Sequence, residues 1–92
     1  MNIVRTARTD RLLRKLDPPL RREAFAALEA FCADSTSRGL NFEKLRGFDT
    51  LYSIRINRNY RIILRRTQDV DTFVIMDLGP HDVYRRLDEG DD

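Results

Sequence analysis

Cysteine is nearly missing from these 92 residues: Cys32 stands alone. A single thiol cannot close an internal disulfide or build a metal cluster, so stapled secreted scaffolds and zinc modules are excluded and stability has to come from packing. Long apolar runs are missing too. None approaches the roughly 20 residues that cross a bilayer. The N-terminal stretch MNIVRTARTDRLL carries charges where a secretory signal has its apolar segment. The expected address is therefore the cytoplasm, with no membrane partner. There is no internal repeat and no low-complexity linker, and a chain this short makes one domain that buries about 60–65% of its unfolded surface.

What is present is charge on a globular background. Hydrophobic residues make up 41% and charged residues 35% of the chain, too apolar for disorder and too charged for a membrane protein. Of the 17 basic residues 15 are arginine, whose planar fork fits phosphate two oxygens at a time, although a GC-rich genome produces the same bias. The net charge of +2 conceals an acidic end, Asp88, Glu89, Asp91 and Asp92. Residues 1–87 then carry 17 bases against 11 acids, a net of +6. The expected division is a basic domain over residues 1–87 and an acidic tail over 88–92, the tail either solvated or folded over the basic surface. A nucleic acid or an acidic protein is the kind of partner such a body suits.

Residues 2–8 alternate loosely and are compatible with a strand. Residues 9–16 place Leu12, Leu13 and Leu16 at helical spacing and stop at Asp17-Pro18-Pro19, which also starts the next helix, with Asp17 as N-cap and Pro18 in the first helical position. Leu20, Ala24, Ala27, Leu28 and Phe31 then form one apolar stripe running to about Ala33. After the turn chemistry of residues 34–39 the period changes to two. Tyr52, Ile54 and Ile56 share one face of a strand over residues 51–56, and Tyr60, Ile62 and Leu64 share one face of a second over residues 60–66, with Asn57-Arg58-Asn59 as the hairpin turn between them. A third strand is expected over residues 72–78. The fold class is α+β: an N-terminal helical hairpin packed on one face of a small antiparallel sheet. Tyr52 and Tyr60 belong to the core in this register, and Cys32 is a small buried residue of the second helix.

The other face of the first two strands carries Ser53, Arg55, Arg61, Ile63 and Arg65. Like charges on neighbouring strands cost a few tenths of a kcal/mol to about 1 kcal/mol for a close pair, which suggests that they are used. The plainer alternative is that Arg55 and Arg61 spread their charge into water, or pair with Asp77 and Asp82.

At Leu45-Arg46-Gly47, residues 51–56 and Asn59-Tyr60-Arg61-Ile62-Ile63, the chain resembles the RelE/ParE superfamily of type II toxins. A helical hairpin, a leucine-arginine-glycine turn, a strand ending in a basic residue, a tyrosine-arginine pair opening the next strand, and a late tyrosine in Asp82-Val83-Tyr84-Arg85 follow the family's order over residues 10–87. Residues 52–57 look like the HigB branch and residues 79–84 like RelE-type members. The RelE and HigB branches are ribosome-dependent messenger RNA endonucleases, and the ParE branch poisons DNA gyrase. The resemblance implies that Arg55 matches a basic strand residue, Arg61 the arginine after the tyrosine, and Tyr84 a C-terminal catalytic tyrosine. His81 lies near the place of a late arginine in RelE-type enzymes, in a region where several relatives use histidine as an acid or base. Ser53 departs from the pattern, since RelE-type enzymes tend to have lysine there.

Metal-free RNA cleavage needs a base for the 2′-hydroxyl, stabilisation of the phosphorane and an acid for the 5′-oxygen. Arg55 and Arg61 are the candidates to hold the phosphate. His81, the only histidine, is the candidate acid, with a surface or cap role as its alternative. Tyr84 is a base only if the arginines lower its pKa from about 10, and otherwise stacks on a nucleobase. Arg46 and Arg65 join Arg55 as candidate contacts to the RNA backbone, Arg46 equally being a turn residue. No metal and no small-molecule cofactor are expected. The resemblance implies a toxin that cleaves translated messages, with a cognate antitoxin, the ribosome and mRNA as partners. The alternative is a ParE-like gyrase inhibitor, or a non-catalytic RNA- or antitoxin-binding module of the same fold.

Overall fold

The computed structural model describes residues 1–80 and 82–87, without the side chains of Tyr84 and Arg86. Its elements are β1 (Asn2–Val4), α1 (Ala7–Arg14), α2 (Pro18–Ala33), β2 (Glu43–Lys44), β3 (Leu51–Arg55), β4 (Tyr60–Arg66) and β5 (Thr72–Pro80), with a short 3-10 turn at Val83–Arg86. Among the described residues no helix is long and apolar enough to cross a membrane.

The strand expected over residues 2–8 ends at Val4 because Thr6 starts a helix. Its Oγ accepts from the Thr9 amide at 3.1 Å, and Thr9 Oγ accepts in return from the Thr6 amide at 3.0 Å. This reciprocal box satisfies donors that the first helical turn would otherwise leave open. Pro18 and Pro19 separate α1 from α2 as expected, since neither has an amide to donate. Asp17 holds the N-cap position of α2, but its side chain makes no cap hydrogen bond, so the cap assigned to it is not formed. The stripe on α2 is as the period requires: Ala24, Ala27, Leu28 and Phe31 are buried.

The sheet has the order β1-β5-β4-β3-β2. Strands β3, β4 and β5 form the antiparallel meander, while β1 joins β5 in parallel, so the sheet as a whole is mixed. The parallel pairing follows from topology. The chain leaves β1, crosses one face as the two helices, and returns to the far side of the sheet before closing beside β1. That covered face packs Ile54, Ile62, Leu64, Phe73, Ile75 and Leu78 against the helices. Phe31, Phe42, Tyr52 and Phe73 meet there with ring centroids 5.0–5.8 Å apart. Tyr52 joins this cluster, whereas Tyr60 is only half-buried at the end of β4. Cys32, expected inside, is half-buried as well. An irregularity in the β4–β5 register at Ile63/Leu64 leaves Met76 as the extra residue of a bulge, and Arg8 from α1 donates to the Met76 carbonyl at 2.7 Å.

The second face of the sheet is not the open, solvated surface that its arginines predict. Leu51, Ser53, Ile63 and Asp77 are all at most 4% exposed. The 3-10 turn packs back on β5, bringing buried Val83 with it. Leu51, Ile63 and Val83 are buried yet stand outside the main core cluster. They make a smaller apolar floor beneath the polar groups of this face.

Candidate functional site

Arg61 is the centre of the second face. Its backbone is opposite Arg55 on β3 and Gly79 on β5, so it sits in the middle strand of the meander with a pairing partner on each side. A side chain leaving a doubly paired strand has a fixed root, and this one is 21% exposed. Nη1 donates to Ser53 Oγ at 3.4 Å and lies 3.6 Å from Glu43 Oε1. Both contacts use one nitrogen of the fork, which has five N–H donors in all. The hydrogen bond to Ser53 is long enough to be weak. The pair with half-exposed Glu43 is worth about 0.2–1 kcal/mol at most. These contacts aim the guanidinium more than they stabilise the domain.

Ser53 is 0% exposed and directly opposite Ile63. A lysine at this position would have to send its ammonium out past the apolar floor, and the serine hydroxyl instead finds Arg61. Glu43 comes from β2, a strand of two residues at the edge of the sheet. The Glu43↔Ser53 pairing places its side chain on the same face as Ser53 and Arg61. Sequence reasoning did not single out Glu43. Nothing in a two-residue strand has a period, and the only hint was its place two residues before Leu45-Arg46-Gly47.

The other expected residues are placed as follows. Arg55 is exposed and stands opposite Arg61 in the register, as the alternation required. Arg65 lies on the same face, one pair beyond Ile63 and opposite Leu51, and is exposed. Arg46 is exposed in the turn before β3, where Leu45 donates to the Leu51 carbonyl at 2.9 Å and Gly47 has φ +87°. That φ is open to glycine at no cost and strained for other residues, which explains the leucine-arginine-glycine order. In place of the alternative pairing with Asp77, Arg61 pairs with Glu43. Asp77 Oδ1 accepts from the Leu78 amide at 2.8 Å and lies 3.8 Å from Arg8. His81 and the side chain of Tyr84 lie outside the described residues. In sequence they follow Gly79, the β5 partner of Arg61, by two and five residues.

The arrangement offers a guanidinium aimed by a hydroxyl and a carboxylate, with further arginines along the same two strands. Such a fork binds carboxylates and phosphates through paired hydrogen bonds. A carboxylate beside it is able to take a proton from a group held on the guanidinium.

A family model described as a ParE-like toxin domain matches residues 18–86. Solved structures with the same fold include a chain of the archaeal RelE–RelB complex from Pyrococcus horikoshii, with a TM-score of 0.69 at 19% identity, covering 89% of this chain and 96% of that one. The isolated Escherichia coli RelE toxin matches with a TM-score of 0.66 at 19% identity, covering 86% and 82%. A chain of the RelBE toxin–antitoxin complex from Mycobacterium tuberculosis matches with a TM-score of 0.58 at 25% identity, covering 87% and 96%. No curated protein matches the chain in sequence.

Proposed function

Because the chain belongs to the ParE-like toxin domain family, within the RelE/ParE superfamily of toxins, we propose that it is the toxin of a type II toxin–antitoxin system, a ribosome-dependent endoribonuclease that cuts translated mRNA in the cytoplasm. The observation that carries this reading is Arg61 held on the second face with the Glu43 carboxylate 3.6 Å away. In the reaction, the fork of Arg61 binds the scissile phosphate and takes up the charge that builds on its oxygens. Glu43 accepts the proton of the 2′-hydroxyl, the 2′-oxygen attacks phosphorus, and the bond to the 5′-oxygen breaks. His81 gives that oxygen a proton. The products are a 2′,3′-cyclic phosphate and a 5′-hydroxyl end. With a carboxylate available as base, Tyr84 is not required to ionise and serves to stack on a nucleobase. Arg55, Arg65 and Arg46 hold the flanking backbone.

The restraining partner is a small antitoxin, acidic in the segment that contacts this chain. A net of +6 over residues 1–87 favours fast capture by such a segment, and several structures of the same fold were solved as RelE–RelB or toxin–antitoxin complexes. A second reading, inhibition of DNA gyrase, is favoured by the family model's own description as ParE-like. One experiment separates the two. After brief induction in cells, new RNA 5′ ends and double-strand DNA breaks are mapped in parallel. The endoribonuclease reading expects 5′-hydroxyl ends confined to translated messages, with intact DNA. Breaks in DNA with unaltered messages would transfer the protein to the gyrase class.

A further inference from the structure

The positive charge of this chain is not centred on its second face. Residues 5–22 hold seven basic side chains against two acids, a net of +5, whereas residues 23–87 hold ten against nine. Folding gathers this excess at one corner. Helix α1 turns Thr9 and Leu13 inward and leaves Arg11 and Arg14 exposed, with Lys15 exposed at its C-cap. Spacings of three and four residues set these along adjacent positions of one helix surface. The tight turn into α2 adds Arg21, whose Nη1 donates to the Arg14 carbonyl at 3.2 Å, and exposed Arg22. Of the two acids, Asp10 is taken by Arg5, with Nε 3.2 Å from its Oδ1 in an ion pair that lacks hydrogen-bond alignment. A depression of about 220 Å³ between Arg5, Asp10, Arg14 and Arg21 opens at this corner.

Arg11 and Lys15 are like charges one helical turn apart, an arrangement that weakens a helix by a few tenths of a kcal/mol. The field of the α1 C-terminus, where both residues sit, offsets part of that cost, and neither exposed side chain is needed for packing. We infer that the α1–α2 corner is a docking surface for the phosphate backbone of a folded, double-stranded RNA. It lies on the helical side of the sheet, away from Arg61, and takes no part in the chemistry. The inference rests on the RNA-cleaving reading above for the setting in which such an RNA is met. An RNA fits the corner better than a protein does. Protein interfaces centre on apolar or aromatic anchors with few charges, and here the apolar residues, Leu13 and Phe25, are buried or half-buried beneath the arginines. Forked donors on a regular helix face instead suit a regular array of phosphates, which double-stranded RNA displays without regard to base sequence. A second contact of this kind raises the effective concentration of the second face at its substrate.

The test uses the purified full chain, a fluorescein-labelled 20-base-pair RNA duplex and anisotropy titrations between 50 and 200 mM KCl. Three proteins are compared: wild type, the triple variant Arg11→Gln/Arg14→Gln/Lys15→Gln, and the control Arg38→Gln/Arg58→Gln. Glutamine has nearly the helix propensity of arginine and lysine, and equal thermal melts show that the triple variant is folded. The triple variant should bind the duplex about ten- to a hundredfold more weakly at 0.1 M salt, with a log–log salt slope shallower by about 2–3. Arg38→Gln/Arg58→Gln, at two exposed turn residues away from α1, should stay within twofold of wild type in affinity. An unchanged slope and affinity in the triple variant overturns the inference, as does a loss in the Arg38→Gln/Arg58→Gln control as large as in the triple variant. A polyglutamate peptide that binds the corner as tightly as the duplex would assign it to acidic protein segments instead. Duplex binding needs no cleavage, so a chain that docks through α1 but cuts no message refutes the endoribonuclease reading alone, and one that cuts messages while the triple variant docks normally refutes this one alone.

Discussion

The two faces of the central sheet are built from the same three strands and do different work. On the helical face Ile54, Ile62, Leu64, Phe73, Ile75 and Leu78 meet Phe31 and the small residues of α2, and packing there holds the domain together. On the second face the apolar floor is short, Leu51, Ile63 and Val83, and above it stand a buried serine, a buried aspartate and a mostly covered arginine. The floor is too small to carry the stability of 92 residues, but it is enough to keep the roots of Ser53 and Arg61 from moving. Polar groups placed on such a rigid support keep their geometry without depending on their own weak contacts.

Substitutions should therefore separate stability from activity according to face. The largest effect is expected from Phe31→Ala, which empties a site that is 0% exposed and ringed by Phe42 and Phe73. It should cost about 3–5 kcal/mol and lower the Tm by more than about 12 °C, with activity falling only as far as the folded fraction does. Next is Arg61→Ala, which should reduce single-turnover cleavage on the ribosome by about 10²–10³ and move the melt by no more than a degree or two per few tenths of a kcal/mol lost with its ion pair. If that variant melts as early as Phe31→Ala, the second face is a structural core and the contrast between the faces fails. Glu43→Gln should slow cleavage by about a hundredfold with a Tm change no larger than that of Arg61→Ala, since both remove the same weak ion pair. A wild-type rate in that variant would return the role of base to Tyr84.

The smallest expected effect lies in the turns, outside both faces. The Asp69 carboxyl is held below its ordinary value of 3.8 by the Asp71 amide and then the Thr72 hydroxyl, and the Asp34 carboxyl by the Thr36 hydroxyl and then its amide. Each group has its pKa depressed in the folded state, so the stability it adds is present above the unfolded value and is lost as pH falls through the folded one. Asp69→Asn should flatten the acid end of the Tm-against-pH curve slightly and leave the curve near neutrality unaltered. A shift centred above pH 5 would mean that some other group controls acid stability.

The helical stripe of α2, the proline break before it, and the alternation of β3 and β4 were readable from residue order, because each depends on periods and on turn chemistry within a dozen residues. The Arg55↔Arg61 pairing followed from the Asn57-Arg58-Asn59 hairpin for the same reason. Less was readable where a short element meets a distant one. The Thr6-Thr9 box was passed over because its third helical residue is threonine and not the usual glutamate or glutamine. β2 has two residues and no pattern, so Glu43 was not joined to Arg61. The burial of Leu51 and Ile63 was hidden behind neighbouring arginines that made the whole face look wet.

From its sequence alone this protein was an α+β domain with a helical hairpin over a meander, basic in its body, with arginines aligned on one side of two paired strands. Those properties come from backbone periodicity and side-chain polarity, which act locally and are written in the order of residues. Only the tertiary structure decided that β1 closes the sheet in parallel beside β5, that the chain after β5 folds back to give the second face a floor, and that an edge strand delivers a carboxylate to Arg61. Each of these joins residues with no local signal for the contact, and the choice among the possible pairings is made by which arrangement buries the most apolar surface while leaving the fewest backbone groups unpaired.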